Sequence, residues 1–281
     1  MKVGFIDYNL NNYHANKFYG LLTGEGHEVA AAYEVQPTGE DWCAAKGVKR
    51  VTSAAEVIAA SDGIIVLAPD DSECHLMLSR EALASGKPVF VDKNLSTTLE
   101  DALEMVKLAE QSNTPLMSAS SLRFSVELEE MLQRAGDNKL DGVFSRGLGK
   151  WRGYAVHSVA PALRMLAAPI KRVIDTGSGT VHTVTIETAD GRRALIDLRK
   201  CENQMEATPW QIGFLSGDNY DVATISKFDE FYANLMKRTV EFFSTGKSFV
   251  PVQEMLDTVA VEVAADQSAA RGGEWVTLPG F

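Results

Sequence analysis

Lys93 directly follows the apolar run Pro88-Val89-Phe90-Val91 and Asp92, where a buried strand would end. Ligands of open parallel sheets bind outside the carboxyl ends of the strands. An ammonium there could donate to a substrate oxygen or lower the pKa of a hydroxyl; the plain alternative is a solvated strand-end lysine. His157 carries an imidazole whose unperturbed pKa of ~6.5 suits proton transfer near neutrality. Just before it stand Trp151, Arg152 and Tyr154. That mixture suits a carbohydrate or carboxylate site, and equally a packed histidine at a domain interface. Glu34 ends a second apolar segment, about where an acidic side chain accepts hydrogen bonds from an adenosine ribose and disfavours a 2′-phosphate.

The elements that must position these groups follow from periodicity. Lys2 to Ile6, Glu28 to Tyr33, Gly63 to Ala68, Pro88 to Asp92 and Leu116 to Ala119 read as strands. Helical patterns lie between them at Tyr13 to Thr23, Ser72 to Ser85 and Thr98 to Ser112. The nearly unbroken apolar run Gly63 to Ala68 implies burial on both faces, the condition of a parallel sheet between helices. Alternation of this kind up to about residue 120 predicts a doubly wound α/β domain. After a helix at Ser125 to Ala135 the pattern changes. Val173 to Ser178, Thr180 to Thr188 and Arg193 to Leu198 read as strands, the last two joined by Ala189-Asp190-Gly191-Arg192, a hairpin signal. Helices are expected at Ser158 to Leu166, Phe228 to Ser244 and Val252 to Arg271, with a final strand at Trp275 to Leu278. The expected domains are therefore 1–120 and 121–281, the second α+β with a mostly antiparallel sheet, and the C-terminal helix is free to pack back on the first.

Composition narrows the function classes. The 281 residues carry 27 Lys plus Arg against 38 Asp plus Glu, a net charge of −11 that repels a nucleic-acid backbone. No apolar run reaches the ~18 to 20 residues of a membrane span, and the first residues lack signal-peptide zones, so a cytoplasmic location is expected. Cys43, Cys74 and Cys201 form no close pair, which argues against a disulfide framework or cysteine zinc site. His14, His75, Asp7, Asp70 and Asp71 have no recognised ligand spacing, and no metal is expected.

The order Ala68-Pro69, His75, Ala82-Leu83-Ala84-Ser85-Gly86-Lys87-Pro88-Val89 and Asp92-Lys93-Asn94-Leu95-Ser96 resembles the glucose-fructose oxidoreductase and inositol dehydrogenase (Gfo/Idh/MocA) family. Leu122-Arg123-Phe124, the His157 region and Val263-Ala264-Ala265 with Gly273 and Val276 resemble it too. The resemblance implies a Rossmann-like domain binding NAD, with NADP less favoured because of Glu34. It places the dinucleotide on Asp7, Tyr8, Asn9, Leu10, Asn12, Glu34, Pro69, His75 and Asp92. It assigns Lys93 and His157 to catalysis on a hydroxyl of a sugar, polyol or related small molecule, with Arg123, Trp151, Arg152 and Tyr154 contacting that substrate. It also implies a homodimer or larger assembly through the open face of the antiparallel sheet.

Two departures set a second expectation beside the first. The family's G-x-G-x-x-G/A turn is here Asp7-Tyr8-Asn9-Leu10-Asn11-Asn12, without any glycine. Glycines allow close approach of backbone N–H groups to a pyrophosphate, and a carboxylate at Asp7 would repel one. The family's D-x-x-x-H pair keeps His157 but has Gly153 four residues earlier. The alternative is thus a divergent member that has lost ordinary nicotinamide binding and serves as a ligand-binding or assembly protein, or as a non-redox lyase or isomerase.

Overall fold

A computed structural model describes residues 1–69, 72–136, 139–200 and 209–280; Asp70, Asp71 and Cys201 therefore lie outside the described residues. The chain divides into two compact units, Met1–Ala119 with Tyr232–Met255, and Ser120–Phe231 with Leu256–Phe281.

In the first unit, five parallel strands run β1 Lys2–Asp7, β2 Glu28–Glu34, β3 Gly63–Val66, β4 Val89–Val91 and β5 Leu116–Ser118, in spatial order β2-β1-β3-β4-β5. The order reverses between β1 and β3, which opens the crevice where doubly wound folds bind ligands. Every residue of β3 and β4 is buried, as their unbroken apolar sequence requires. The helices are α1 Tyr13–Gly24, α2 Trp42–Lys46, α3 Ala54–Ala60, α4 His75–Leu83 and α5 Leu99–Gln111. Side chains cap their starts: Asn12, Asp41, Ser53 and Thr98 each accept a first-turn backbone N–H. The unit is completed from far along the chain. Gly63 lies against the ring of Phe243, and the Ser118 N–H points at the Met255 sulfur at 3.0 Å.

The second unit is built on a seven-stranded sheet. After α6 Val126–Ala135, its strands are β6 Gly142–Leu148, β7 Ile170–Asp175, β8 Val181–Thr188, β9 Arg193–Arg199, β10 Trp210–Ser216, β11 Asn219–Ile225 and β12 Val276–Thr277. Their order is β11-β10-β6-β9-β8-β7-β12, antiparallel except for the parallel pair β6 and β9. The short turn α7 Trp151–Tyr154 and α8 Val156–Leu166 come after β6; α9 Phe228–Thr245, most of which belongs to the first unit, and α10 Val252–Ala270 come between β11 and β12 in the chain. The Asp190-Gly191 hairpin forms as its sequence indicates, with Gly191 at φ 86° and Glu187 opposite Arg193. Periodicity alone missed β6, β10 and β11. β6 is interrupted by Ser145, Arg146 and Gly147, and Gly147 is there to admit the Trp210 ring, which a Cβ would strike at 1.9 Å.

Candidate functional site

The carboxyl ends of β1, β2, β3 and β4 bring together most of the residues named for the first unit. Lys93, two residues beyond β4, is only 6% exposed, so the solvated-lysine reading does not hold. Its Nζ donates to the Pro69 carbonyl at 2.9 Å, and its backbone N–H donates to the Asp92 carboxylate at 2.8 Å. The other Asp92 oxygen meets Nδ1 of His14, whose Nε2 lies 3.4 Å from the Tyr232 hydroxyl. Burial alone would raise the Asp92 pKa. The charge and hydrogen bond of His14, together with Lys93, outweigh it and hold the carboxyl below its usual value. Asp92, expected to touch a dinucleotide, instead has both oxygens occupied and is 1% exposed; it orients Lys93. His14, 78 residues away in sequence, was not singled out for this part, and no local spacing signals it.

His75 also departs from a cofactor contact. It is fully buried, with Nδ1 2.6 Å from the Asn94 carbonyl and Nε2 2.5 Å from that of Leu67. Burial holds its pKa below the usual imidazole range. Its ring ties the end of β3 to the backbone that follows Lys93.

The loop after β1 has consumed its own donors. Asp7 and Glu34 are register partners at the ends of β1 and β2. Asp7 accepts from the N–H groups of Asn9 at 3.2 Å and Ala68 at 3.0 Å, and from the Asn12 side-chain amide at 2.8 Å. Glu34 accepts the Leu10 N–H at 2.8 Å and the Arg50 guanidinium at 2.6 Å. The Asn11 N–H goes to the Asn9 side chain, the Asn12 N–H to the Leu10 carbonyl, and the Asn12 side chain caps α1. Tyr8 bonds Gln36 at 2.6 Å, and Asn9 and Asn11 are tied to Thr38. Burial pushes the Asp7 pKa up to about 7, although all these donors oppose it. Leu10, expected at the cofactor, is fully buried with its N–H spent on Glu34. Glu34 turns both oxygens inward rather than presenting a free carboxylate. This donor set does not fit a diphosphate, which needs unclaimed N–H groups and no facing carboxylate.

In the second unit, the Ser120 hydroxyl lies 2.8 Å from His157 Nδ1. That hydroxyl also accepts the Leu122 N–H at 3.2 Å. Tyr154 and Trp210 stand edge-on to the imidazole at 5.8 and 5.5 Å. The other two aromatic and basic neighbours do not join them. Trp151 is buried, its indole N–H on the Glu262 carbonyl at 3.0 Å and its ring against His182. It is a core residue and not a substrate contact. Arg152 extends to solvent, 81% exposed at the side chain, beside Asp266. Arg123 is buried over the Phe124 ring, its carbonyl held by Arg164.

A family profile described as an oxidoreductase family with an NAD-binding Rossmann fold matches residues 1–120. Over these residues the chain matches the Gfo/Idh/MocA oxidoreductase family. It is 32% identical over 113 residues to an inositol 2-dehydrogenase of Cereibacter sphaeroides, covering 39% of this chain and 33% of that protein. It is 27% identical over 182 residues to a 1,5-anhydro-D-fructose reductase of Ensifer adhaerens, covering 63% and 52%. The matches thus span about half or less of these curated relatives. The fold is also that of scyllo-inositol dehydrogenase from Lactobacillus casei, solved with NAD(H) and scyllo-inositol: TM-score 0.82 at 13% identity, over 99% of this chain and 98% of the other. No helix among the described residues is long and apolar enough to cross a membrane.

Proposed function

We propose that this Gfo/Idh/MocA member acts on a hydroxyl of a sugar, polyol or related small molecule, with Lys93 as the group that touches that hydroxyl and His157 as the proton carrier. The observation that carries the proposal is the buried Lys93 ammonium at the carboxyl end of β4, which donates to the Pro69 carbonyl, while an Asp92 carboxylate that His14 holds in place accepts the Lys93 backbone N–H. A desolvated ammonium so oriented stabilises negative charge developing on a hydroxyl oxygen more strongly than a solvated one. For His157, support comes from the Ser120 hydroxyl, which holds the ring through Nδ1 at 2.8 Å. Tyr154 is retained as a substrate contact, and the two residues work in the same unit.

The redox reading takes NAD as partner, with NADP less favoured; it rests on the family and on the names of the relatives. A nicotinamide would supply the hydride chemistry, and the protein only orientation and electrostatics. The second reading, a relative without ordinary nicotinamide binding that acts as a non-redox lyase, isomerase or ligand-binding protein, is favoured by one observation, the carboxylates on the loop amides after β1. A panel of inositols, anhydro-sugars and aldoses is to be incubated with the protein and NAD or NADP while nicotinamide absorbance is followed, and titrated calorimetrically without nucleotide. Ligand binding or turnover that disappears in Lys93→Met supports the hydroxyl site; a ligand whose affinity and turnover ignore that substitution removes it.

A further inference from the structure

We infer that Asp7 and Glu34 are built-in replacements for the phosphates of a dinucleotide, so that the crevice between β1 and β3 is closed by the protein's own carboxylates and takes no exchangeable NAD(H). This deepens the second of the two readings above. A Rossmann loop binds a diphosphate because its backbone N–H groups are unclaimed and its glycines keep side chains out of their way. Each condition is reversed here. The N–H groups of residues 9 to 12 all have acceptors within the chain, and the acceptors of Asn9 and Leu10 are side-chain carboxyl groups. The Asp7 side chain bridges the crevice itself, joining Asn9 on the β1 side to Ala68 on the β3 side. Asp7 is itself only 1% exposed.

The charge pattern agrees. Asp7 and Glu34 stand side by side in the β1 and β2 register, as two adjacent phosphates would. Glu34 is balanced by Arg50, which also reaches Asp41 at 2.7 Å. The adenosine side is tied off as well, by the Tyr8 bond to Gln36, the Asn9 and Asn11 bonds to Thr38, and the Asn11 bond to the Glu40 carbonyl at 2.8 Å. A nucleotide would have to displace several of these contacts and bring two negative charges into a crevice already lined by the Asp7 and Glu34 carboxyl groups. Buried amides already satisfied by a carboxylate gain nothing from a phosphate oxygen.

The test is titration of the full chain with NADH and NADPH, read by nucleotide fluorescence and by calorimetry, alongside Asp7→Gly and Asp7→Asn. The wild-type chain should show no saturation up to about 1 mM. Asp7→Gly, which frees the Asn9 and Ala68 amides and removes the carboxyl group that covers them, should bind NADH at least tenfold tighter. In the nucleotide-free wild type, the Asn9 and Leu10 amides should be protected from hydrogen exchange. Wild-type saturation at micromolar NADH, an Asp7→Gly chain that binds no tighter, or free-loop exchange at Asn9 and Leu10 each overturns the inference. The exchange measurement stands even if the glycine variant does not fold. Loss of Lys93-dependent binding of a hydroxyl ligand would sink the proposed function and leave these three readouts unchanged.

Discussion

Lys93 and Pro69 are joined by a hydrogen bond of 2.9 Å that takes the ammonium of one strand end to the carbonyl of the neighbouring one. The bond fixes where the charge lies without neutralising it, since a carbonyl is a dipole and not a counter-ion. Lys93→Met keeps the apolar stem and removes charge and donors. It should abolish ligand turnover by a factor of at least 100, equivalent to about 2.7 kcal/mol of transition-state stabilisation. A thermal melt of the variant is to be compared with wild type, because an unfolded protein would give the same loss for a trivial reason.

Arg50 sets the stability of the loop. Arg50→Ala leaves the buried Glu34 carboxylate with only the Leu10 N–H. Removing one partner of a buried pair costs several kcal/mol in general, and Arg50 is a third exposed. A loss of roughly 1 to 3 kcal/mol is therefore expected by urea titration. Asp41→Ala, which removes an exposed contact of the same arginine and the cap of α2, leaves the Arg50–Glu34 pair in place.

Two buried groups give opposite pH dependences. Asp7 has a folded pKa of about 7, above its ordinary 3.8, so its folded form holds a proton that the unfolded chain releases; its contribution favours folding below about 4 and is lost as pH rises to about 7. His75 has a depressed folded pKa, so its contribution is present above about 6.5 and is lost as pH falls below it. In Asp7→Gly the loss of stability between pH 4 and 7 should shrink, and in His75→Gln the loss on acidification should shrink. Chemical denaturation across that range checks both, and parallel curves for a variant and wild type would show that its group does not titrate there.

The open face of the seven-stranded sheet exposes Leu195, Leu215, Tyr220 and Val222. Apolar surface gathered on one side of a sheet is a protein interaction site more often than an accident. The chain should sediment as a homodimer or larger assembly at micromolar concentration, and Leu195→Glu with Leu215→Glu should shift it to monomer. A wild-type monomer at that concentration would count against the assembly.

The parallel domain was legible because its signal is local and redundant. Each of Gly63 to Ala68 and Pro88 to Asp92 is apolar enough to need two covering layers, and Asp190-Gly191 permits little except a hairpin. β10 and β11 were not legible, although Gly217 at φ 57° marks the turn between them, because a two-sided strand such as Asn219–Ile225 alternates too weakly. The residues of the candidate site were partly legible for a different reason. Lys93 and Asp7 declare themselves by position, but what each does depends on partners brought in by the sheet: His14 for Asp92, and Glu34 for Leu10. Trp151 carried the opposite lesson. Its type suggested a sugar platform, and only the Glu262 carbonyl 111 residues away made it core.

The contribution of Tyr232–Met255 to the first unit bears on how the chain is made. Domains generally fold as they leave the ribosome, the N-terminal one first. Here the five-stranded sheet is fully synthesised by residue 118, yet the Phe243 ring that covers Gly63 and the Met255 sulfur that faces Ser118 arrive only after strands β6 to β11 have been made. During that interval a nascent chain carries an unfinished apolar surface, and a gene fragment stopped after Ala119 would produce that surface permanently.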